Sequence, residues 1–151
     1  MSLGVISDTH GLLRAEALVA LTGVDQIIHA GDMGDPAILD ELAGIAPVTA
    51  VQGNMDWGEW TKGLHETEVL EVGGVSLFVL HDLEELDLNP DAAGFSAVVS
   101  GHTHLPDISW KGGVLYLNPG SAGPVRGEKP VTLALVEIFG DRLEPRIVTL
   151  L

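Results

Sequence analysis

Five times in this 151-residue chain an apolar run ends in a polar cluster built from Asp, His or Asn. Residues 3–7 lead into Asp8-Thr9-His10, residues 25–30 into Gly31-Asp32, and residues 47–52 into Gly53-Asn54-Met55-Asp56. Residues 75–80 lead into His81-Asp82, and residues 95–100 into Gly101-His102-Thr103-His104. Short apolar runs bounded by turn residues read as buried strands. Ligands of open α/β sheets bind beyond the carboxyl ends of the strands. If these strands share one sheet, or two packed sheets, their polar ends converge on one rim. His102 and His104 lie two apart, so strand geometry carried into the motif aims both imidazoles at one spot. Each cluster alone is ordinary turn and cap chemistry. The fivefold repetition, with no Lys in any cluster, points instead to a shared ligand.

The donor set is two carboxylates (Asp8, Asp32), four imidazoles (His10, His81, His102, His104) and the carboxamide of Asn54. The chain has no Cys, so disulfides and thiolate metal sites are excluded. Seven side chains exceed what one ion uses. Two ions about 3.5–4 Å apart, bridged by one carboxylate, fit the number. Mixed nitrogen and oxygen ligands suit Mn, Fe, Zn, Co or Ni better than Ca or Mg. The formal charge of −15 argues against broad nucleic-acid or anionic-membrane binding, which needs clustered cations. No apolar run approaches the roughly 18–20 residues of a membrane helix, and no basic region precedes a signal core. A soluble, cytoplasmic protein is expected.

The first third reads strand, helix (12–21), strand, helix opening at Pro36 with Asp35 as its cap and stopping near Gly44, then strand. That alternation predicts βαβ crossovers and parallel strands. Beyond it the pattern is of hairpins: 68–72 with 75–80 around Gly73-Gly74, 107–110 with 114–117 around Gly112-Gly113, and 131–138 with 143–150 around Gly140-Asp141. Residues 57–65 read as a loop or short helix. Residues 83–94 are polar and irregular, with one helical turn after Asn89-Pro90. With no linker, repeat or low-complexity stretch, residues 1–151 are read as one domain.

In order along the chain, Asp8-Thr9-His10, Gly31-Asp32, Gly53-Asn54-Met55-Asp56, His81 and Gly101-His102-Thr103-His104 resemble the signature of the calcineurin-like metallophosphoesterases. The short length and the Asn118-Pro119-Gly120-Ser121 loop resemble that family's small phosphodiesterase branch, related to the retromer scaffold subunit. The resemblance implies an α/β (α+β) fold, a four-layer αββα sandwich of two mixed β-sheets flanked by helices. It implies one ion on Asp8, His10, Asp32 and His104, and a second on Asp32, Asn54, His81 and His102, with Asp32 bridging. Asp32, Asn54, Asp56 and His81 are the expected catalytic residues. The implied reaction is metal-dependent hydrolysis of a small-molecule phosphoester, a phosphodiester first, by in-line attack of hydroxide held between two divalent transition-metal ions, Mn foremost. A phosphomonoesterase, or a non-catalytic scaffold of the retromer-subunit type, is the alternative.

Two positions depart from the family pattern. Met55 stands where a histidine often serves near the leaving group, and a thioether donates no proton. Asp82 follows His81 where glycine is usual, and could support that ligand, crowd the phosphate or point away. Asp56 either orients Asn54 or a histidine, or caps a turn. His29 is expected to pack or bond near the site without ligating, and His65 to lie on the surface. Arg14, Lys62, Arg126 and Lys129 are the candidate phosphate contacts. A homo-oligomer is left open, with the Trp57–Trp60 segment as one candidate interface.

Overall fold

A computed structural model describes all residues from Met1 to Leu151. Two five-stranded mixed sheets face one another. The first is built from β1 (Ser2–Ile6), β2 (Gln26–His29), β3 (Val48–Ala50), β9 (Thr132–Phe139) and β10 (Arg142–Thr149), in the order β10-β9-β1-β2-β3. The second holds β4 (Thr67–Val72), β5 (Val75–Leu80), β6 (Ala97–Val99), β7 (Pro106–Lys111) and β8 (Val114–Pro119), in the order β4-β5-β6-β8-β7. Strands β1, β2 and β3 are parallel, as are β5, β6 and β8, and the hairpin partners run antiparallel at the edges. The two mixed sheets match the expected fold class.

The alternation of each strand decides the layers. Leu3, Val5 and Ile28 of the first sheet meet Leu77, Val79, Val99 and Leu117 of the second in a dry core between the sheets. The opposite face of the first sheet, Ile6 and Ile27, packs on α1 (Ala15–Ala20) and α2 (Pro36–Ala43) through Ala17, Ile38 and Leu42. Truncating Leu3, Ile28, Leu77 or Leu42 to Ala costs about 2–5 kcal/mol. The outer face of the second sheet, Phe78, Leu80, Val98 and Val114, carries no α-helix. Leu86, Leu88 and Phe95 of the 83–95 segment cover it, so that layer is a loop with one 3₁₀ turn at Leu83–Glu85.

The α2 boundaries follow local chemistry. Asp35 accepts from the Ala37 N–H at 2.9 Å, Pro36 supplies the first helical residue, and Gly44 closes the helix. Helix α1 is shorter than its apolar periodicity predicts. Arg14 at its N-cap offers no capping acceptor, and residues 11–14 remain outside it. Leu13 and Leu21 still reach the same core from beyond its ends. Residues 59–63 form a 3₁₀ helix, and Phe95 N–H bonds Pro90 O, closing the single turn expected after Asn89-Pro90.

Candidate metal centre

Each polar cluster follows the carboxyl end of a parallel strand: Asp8 and His10 after β1, Asp32 after β2, Asn54 after β3, His81 after β5, His102 and His104 after β6. Because the sheets face each other, these ends come from both sides to one cleft. The convergence extends into the loops, where Asp8 N–H bonds Gly31 O and His10 N–H bonds Asp32 O, each at 3.0 Å. The crowding requires glycine. A side chain at Gly53 would overlap the Asp32 carboxylate, and one at Gly101 would meet Asp8 Oδ2 at 2.6 Å. All five non-glycine residues with positive φ in the chain are proposed ligands: Asp8, His10, Asp32, His102 and His104. Asp and His tolerate that region better than most residues, yet each such conformation costs about 1–3 kcal/mol and persists only where the surroundings enforce it.

Donor atoms are turned inward by their partners. Asp8 Oδ2 accepts from Ser7 Oγ at 2.6 Å and His102 N–H at 3.1 Å, leaving Oδ1 free. Asp32 Oδ1 accepts from Met55 N–H at 2.8 Å, leaving Oδ2 free. His81 Nδ1 donates to Ala30 O at 2.7 Å, so Nε2 presents its lone pair to the carboxylates. Asp8 Oδ1 lies 3.5 Å from His10 Nε2 and 3.3 Å from His104 Nε2, while Asp32 Oδ2 lies 3.2 Å from His81 Nε2 and 3.7 Å from His10 Nε2. Two ligand-sized groups result, Asp8–His10–His104 and Asp8–Asp32–His81. Asp8 is common to both, and Asp32 Oδ2 also reaches histidines of both. Asn54 Oδ1 and His102 Nδ1, 3.2 Å apart, stand at the outer edge.

This donor set fits divalent ions. Asp8 Oδ1, His10 Nε2 and His81 Nε2 are buried and have no hydrogen-bond partner. Such atoms cost free energy unless something binds them. Burial pushes the Asp8 and Asp32 carboxyls up, but neighbouring histidines, the Ser7 hydroxyl and the Met55 N–H outweigh it and hold both below the usual carboxylate range. Burial lowers His81, yet Asp32 beside it and the Ala30 carbonyl raise it to about 8. His104 is lowered chiefly by burial; Asp8 opposes this, and the charges of Arg126, His10 and Lys129 add to the lowering.

The supporting residues refine the sequence reading. Asp56 touches neither Asn54 nor a histidine. Its buried carboxylate accepts the N–H groups of Asp32, Met33, Gly34 and Gly53 at 2.8–3.3 Å, tying the loop after β2 to the loop after β3. That corrects the expectation that it orients Asn54 or a histidine, and it is more than a turn cap. His29 is fully buried and does not reach the cleft, as expected. Gly31 N–H donates to its Nδ1 at 3.1 Å, and its Nε2–H faces Thr9 Oγ1 at 3.0 Å, whose hydroxyl bonds Met33 O. Asp82 neither backs His81 nor points away: its Oδ1 caps Glu84 N–H, and its Oδ2 lies 3.9 Å from His102 Nε2. His65 is exposed and pairs with Glu68, and Lys62 pairs with Glu59. Arg14 Nε bonds Gly123 O, and Lys129 Nζ bonds Thr103 O. Sequence reasoning missed Ser7, Thr9, Asn118 and Ser121 as supports. Asn118 donates to Gly101 O and Thr103 Oγ1, and Ser121 to Asp8 O. Asn118 lies at the carboxyl end of β8, one residue before its last, so the strand-ending pattern that found the others could have found it.

Residues 1–141 match the model of the calcineurin-like phosphoesterase superfamily domain. A probable metallophosphoesterase of Methanocaldococcus jannaschii is 37% identical over 161 residues, covering 98% of this chain and 81% of the relative. Phosphodiesterase YfcE of Escherichia coli is 28% identical over 167 residues, covering 91% and 88%. The crystal structure of wild-type Vps29 from Entamoeba histolytica complexed with zinc superposes with a TM-score of 0.76 at 24% identity, covering 99% of each chain. At that identity the likeness establishes the fold.

Proposed function

This chain belongs to the calcineurin-like phosphoesterase superfamily, and on that premise we propose that it is a phosphodiesterase working with two divalent transition-metal ions. The observation that carries the reading is the set of inward-facing, unpartnered buried atoms Asp8 Oδ1, His10 Nε2 and His81 Nε2. Asp8, His10, Asp32 and His104 would hold one ion, and Asp32, Asn54, His81 and His102 the other, with Asp32 shared. When bound, such ions supply Lewis acidity, making water a nucleophile near neutral pH and offsetting charge that develops on phosphoryl oxygens. Manganese is the first candidate for the nitrogen and oxygen donors here, and the zinc bound by the Entamoeba Vps29 supports ions of that class.

The chain's own part is to hold this array rigid. Ser7 and the His102 N–H fix Asp8, Ala30 O fixes His81, and Asp56 locks the Asp32 loop against the Gly53 loop. Met55 donates no proton to a departing alkoxide, so esters of acidic alcohols should turn over fastest; a general acid is worth about 10²–10⁴-fold. Two cavities meet at His102 and Asp82, which gives a phosphoryl group room for an ester arm on each side and supports diesters over monoesters. A purely structural scaffold has no use for seven retained ligand-type side chains around a polar cleft.

Hydrolysis of bis(p-nitrophenyl) phosphate and of p-nitrophenyl phosphate, with Mn, Zn, Co, Ni or Mg added to metal-stripped protein, tests this. The diester is expected to be the better substrate. Asp32→Asn and His102→Ala are each expected to lower the metal-dependent rate by more than about 100-fold. Full metal-dependent hydrolysis by either variant would overturn the mechanism.

A further inference from the structure

The two sheets end in four edge strands, β10, β3, β4 and β7. An edge leaves backbone N–H and C=O groups without a ladder partner and can take a further strand. Three of the four edges are poor hosts for a second copy of this chain. β3 is three residues long, and just past it Gln52 N–H bonds His65 O, so the chain entering β4 lies along that edge. β4 carries Glu68 and Glu71 with no Lys or Arg, so a second β4 would meet only like charge. β10 has Pro145 in its middle, which breaks the row of N–H donors.

β7, Pro106-Asp107-Ile108-Ser109-Trp110-Lys111, has none of these defects. It joins β8 through the two-residue turn Gly112-Gly113, both with positive φ, so Lys111 and Val114 form a hydrogen-bonded pair. Bonding then alternates: Asp107, Ser109 and Lys111 turn their backbone groups to β8, and Ile108 and Trp110 turn theirs outward. The neighbouring strand agrees. Leu115 and Leu117, which stand opposite Trp110 and Ile108, direct their backbone bonds to Ser96 and Ser100 on the far side. Pro106, which has no N–H to leave unpaired, falls at an outward position at the start of the strand. The side chains along this open edge are apolar on one face, with Ile108 and Trp110 exposed, and charged on the other, with Asp107 and Lys111 exposed. Neither charge has an ion-pair partner within its own chain. Asp107 accepts only from Ser109 Oγ, and Lys111 Nζ lies 4.9 Å from the Tyr116 ring centre.

We propose that the chain forms a two-fold dimer by antiparallel pairing of β7 with β7 of a second copy, centred on Ser109. In that register Ile108 faces Trp110 of the second copy, and Trp110 faces its Ile108. The outward N–H and C=O groups of these residues close four hydrogen bonds, and their side chains meet on one face. Asp107 faces Lys111 of the second copy on the other face, and the axis repeats the pair. The strand is therefore complementary to itself in charge, in apolar contact and in backbone bonding at once. Slipping the register either way separates Asp107 from Lys111 and brings Pro106 or the Gly112 turn into the bonded segment. The join makes one ten-stranded sheet of the two copies of the second sheet. It also lies near the metal centre, since Pro106 and Asp107 help line the cavity beside His102.

Sedimentation equilibrium of the full chain is expected to show a dimer with a dissociation constant on the order of micromolar, as suits a small interface. Lys111→Glu sets like charges opposite one another twice over and is expected to raise that constant at least about tenfold. Asp107→Lys combined with Lys111→Glu swaps the charges and is expected to return it to within about threefold of the parent value. A fold defect at these exposed positions would not be repaired by the swap. Pairing across the axis brings the two Ser109 Cα atoms to about 4.5 Å, within the range of a disulfide. The chain has no Cys, so Ser109→Cys is expected to cross-link to a dimer under mild oxidation at micromolar concentration, while Val69→Cys on the β4 edge is expected not to. A monomer at every concentration would overturn the proposal. So would a dimer that Lys111→Glu leaves unchanged, or one that cross-links through Val69→Cys and not through Ser109→Cys.

Discussion

On one flank of the cleft Asp8 and His104 are buried and His10 nearly so; on the other, Asn54 and His102 stand exposed. The buried flank is fixed by a dense set of polar supports. Ser7 and the His102 N–H hold Asp8 Oδ2, Ser121 holds the Asp8 carbonyl, and Asn118 lies beneath Gly101 and Thr103. The exposed flank has few. His102 Nδ1 finds Asn54 Oδ1, and Asp82 stands 3.9 Å from its Nε2. Ligands on the buried flank are held in place before any ion arrives, and their unpartnered atoms make an empty centre costly. Ligands on the exposed flank must be ordered by the ion or the substrate. If two ions bind as proposed, they should therefore differ in affinity, the one beside Asp8 being held more tightly.

The largest expected effect breaks that comparison directly. Asp32→Ala removes the carboxylate whose Oδ2 faces both His10 and His81 and which the two proposed ions would share, so elemental analysis is expected to find the chain stripped of metal and hydrolysis lowered by about 10³-fold or more. His102→Ala is expected to weaken only the looser ion, at least about tenfold by calorimetry, with the tighter site unchanged. Equal losses at both sites in His102→Ala would show that the flanks act as one unit.

Asp56→Ala tests whether the flanks share a frame. It deletes the acceptor of four N–H groups from the two loops that carry Asp32 and Asn54. Charge-assisted bonds are worth about 1.5–3 kcal/mol each and are not additive, so a loss of roughly 4 kcal/mol is expected. Thermal unfolding should fall by roughly 10 °C for a chain of this size.

His29 gives the pH arm. Its folded pKa is lowered to about 4 by burial, the like charges of His81 and His10 adding to this against the pull of Asp8 and Asp32. Between about pH 6.5 and 4 the unfolded chain binds a proton that the folded chain does not, so stability falls as pH drops through that window, by on the order of 3 kcal/mol. The lowered carboxyls of Asp8 and Asp32 act in the other range: their stabilisation is present above the unfolded carboxylate pKa and is lost at still lower pH. Denaturant titrations of metal-free protein are expected to show the upper slope flattened in His29→Gln, with the acid limb retained.

The smallest effect is a control far from both flanks. Asp35→Ala removes the α2 cap and is expected to cost about 1 kcal/mol in denaturant titration with no change in metal content.

Much of this arrangement was legible in the residues themselves. Buried parallel strands show as unbroken apolar runs, and their polar ends stand out against them, so Asp8, Asp32, Asn54, His81 and the His102–His104 pair could be placed on one rim. Asp35-Pro36 announced α2 because capping is local chemistry. What stayed hidden depends on distant partners. Ser7, Thr9 and Ser121 look like any small polar residue near a turn, and only folding shows what they hold. The role of Asp56 needed two loops to meet, and the thin layer over Phe78 and Val98 needed the path of residues 83–95. Helix α1 ended short because periodicity marks a buried face, not the backbone conformation of the residues that supply it.

The five left-handed residues carry an evolutionary consequence. At Asp8, His10, Asp32, His102 and His104 the backbone is one that glycine adopts without penalty. Each drift to glycine would discard a donor atom while relieving local strain worth about 1 kcal/mol or more. A lineage released from selection for chemistry thus has a downhill path by which catalysis erodes while the sandwich persists. In this chain all five positions carry a donor side chain in spite of that slope.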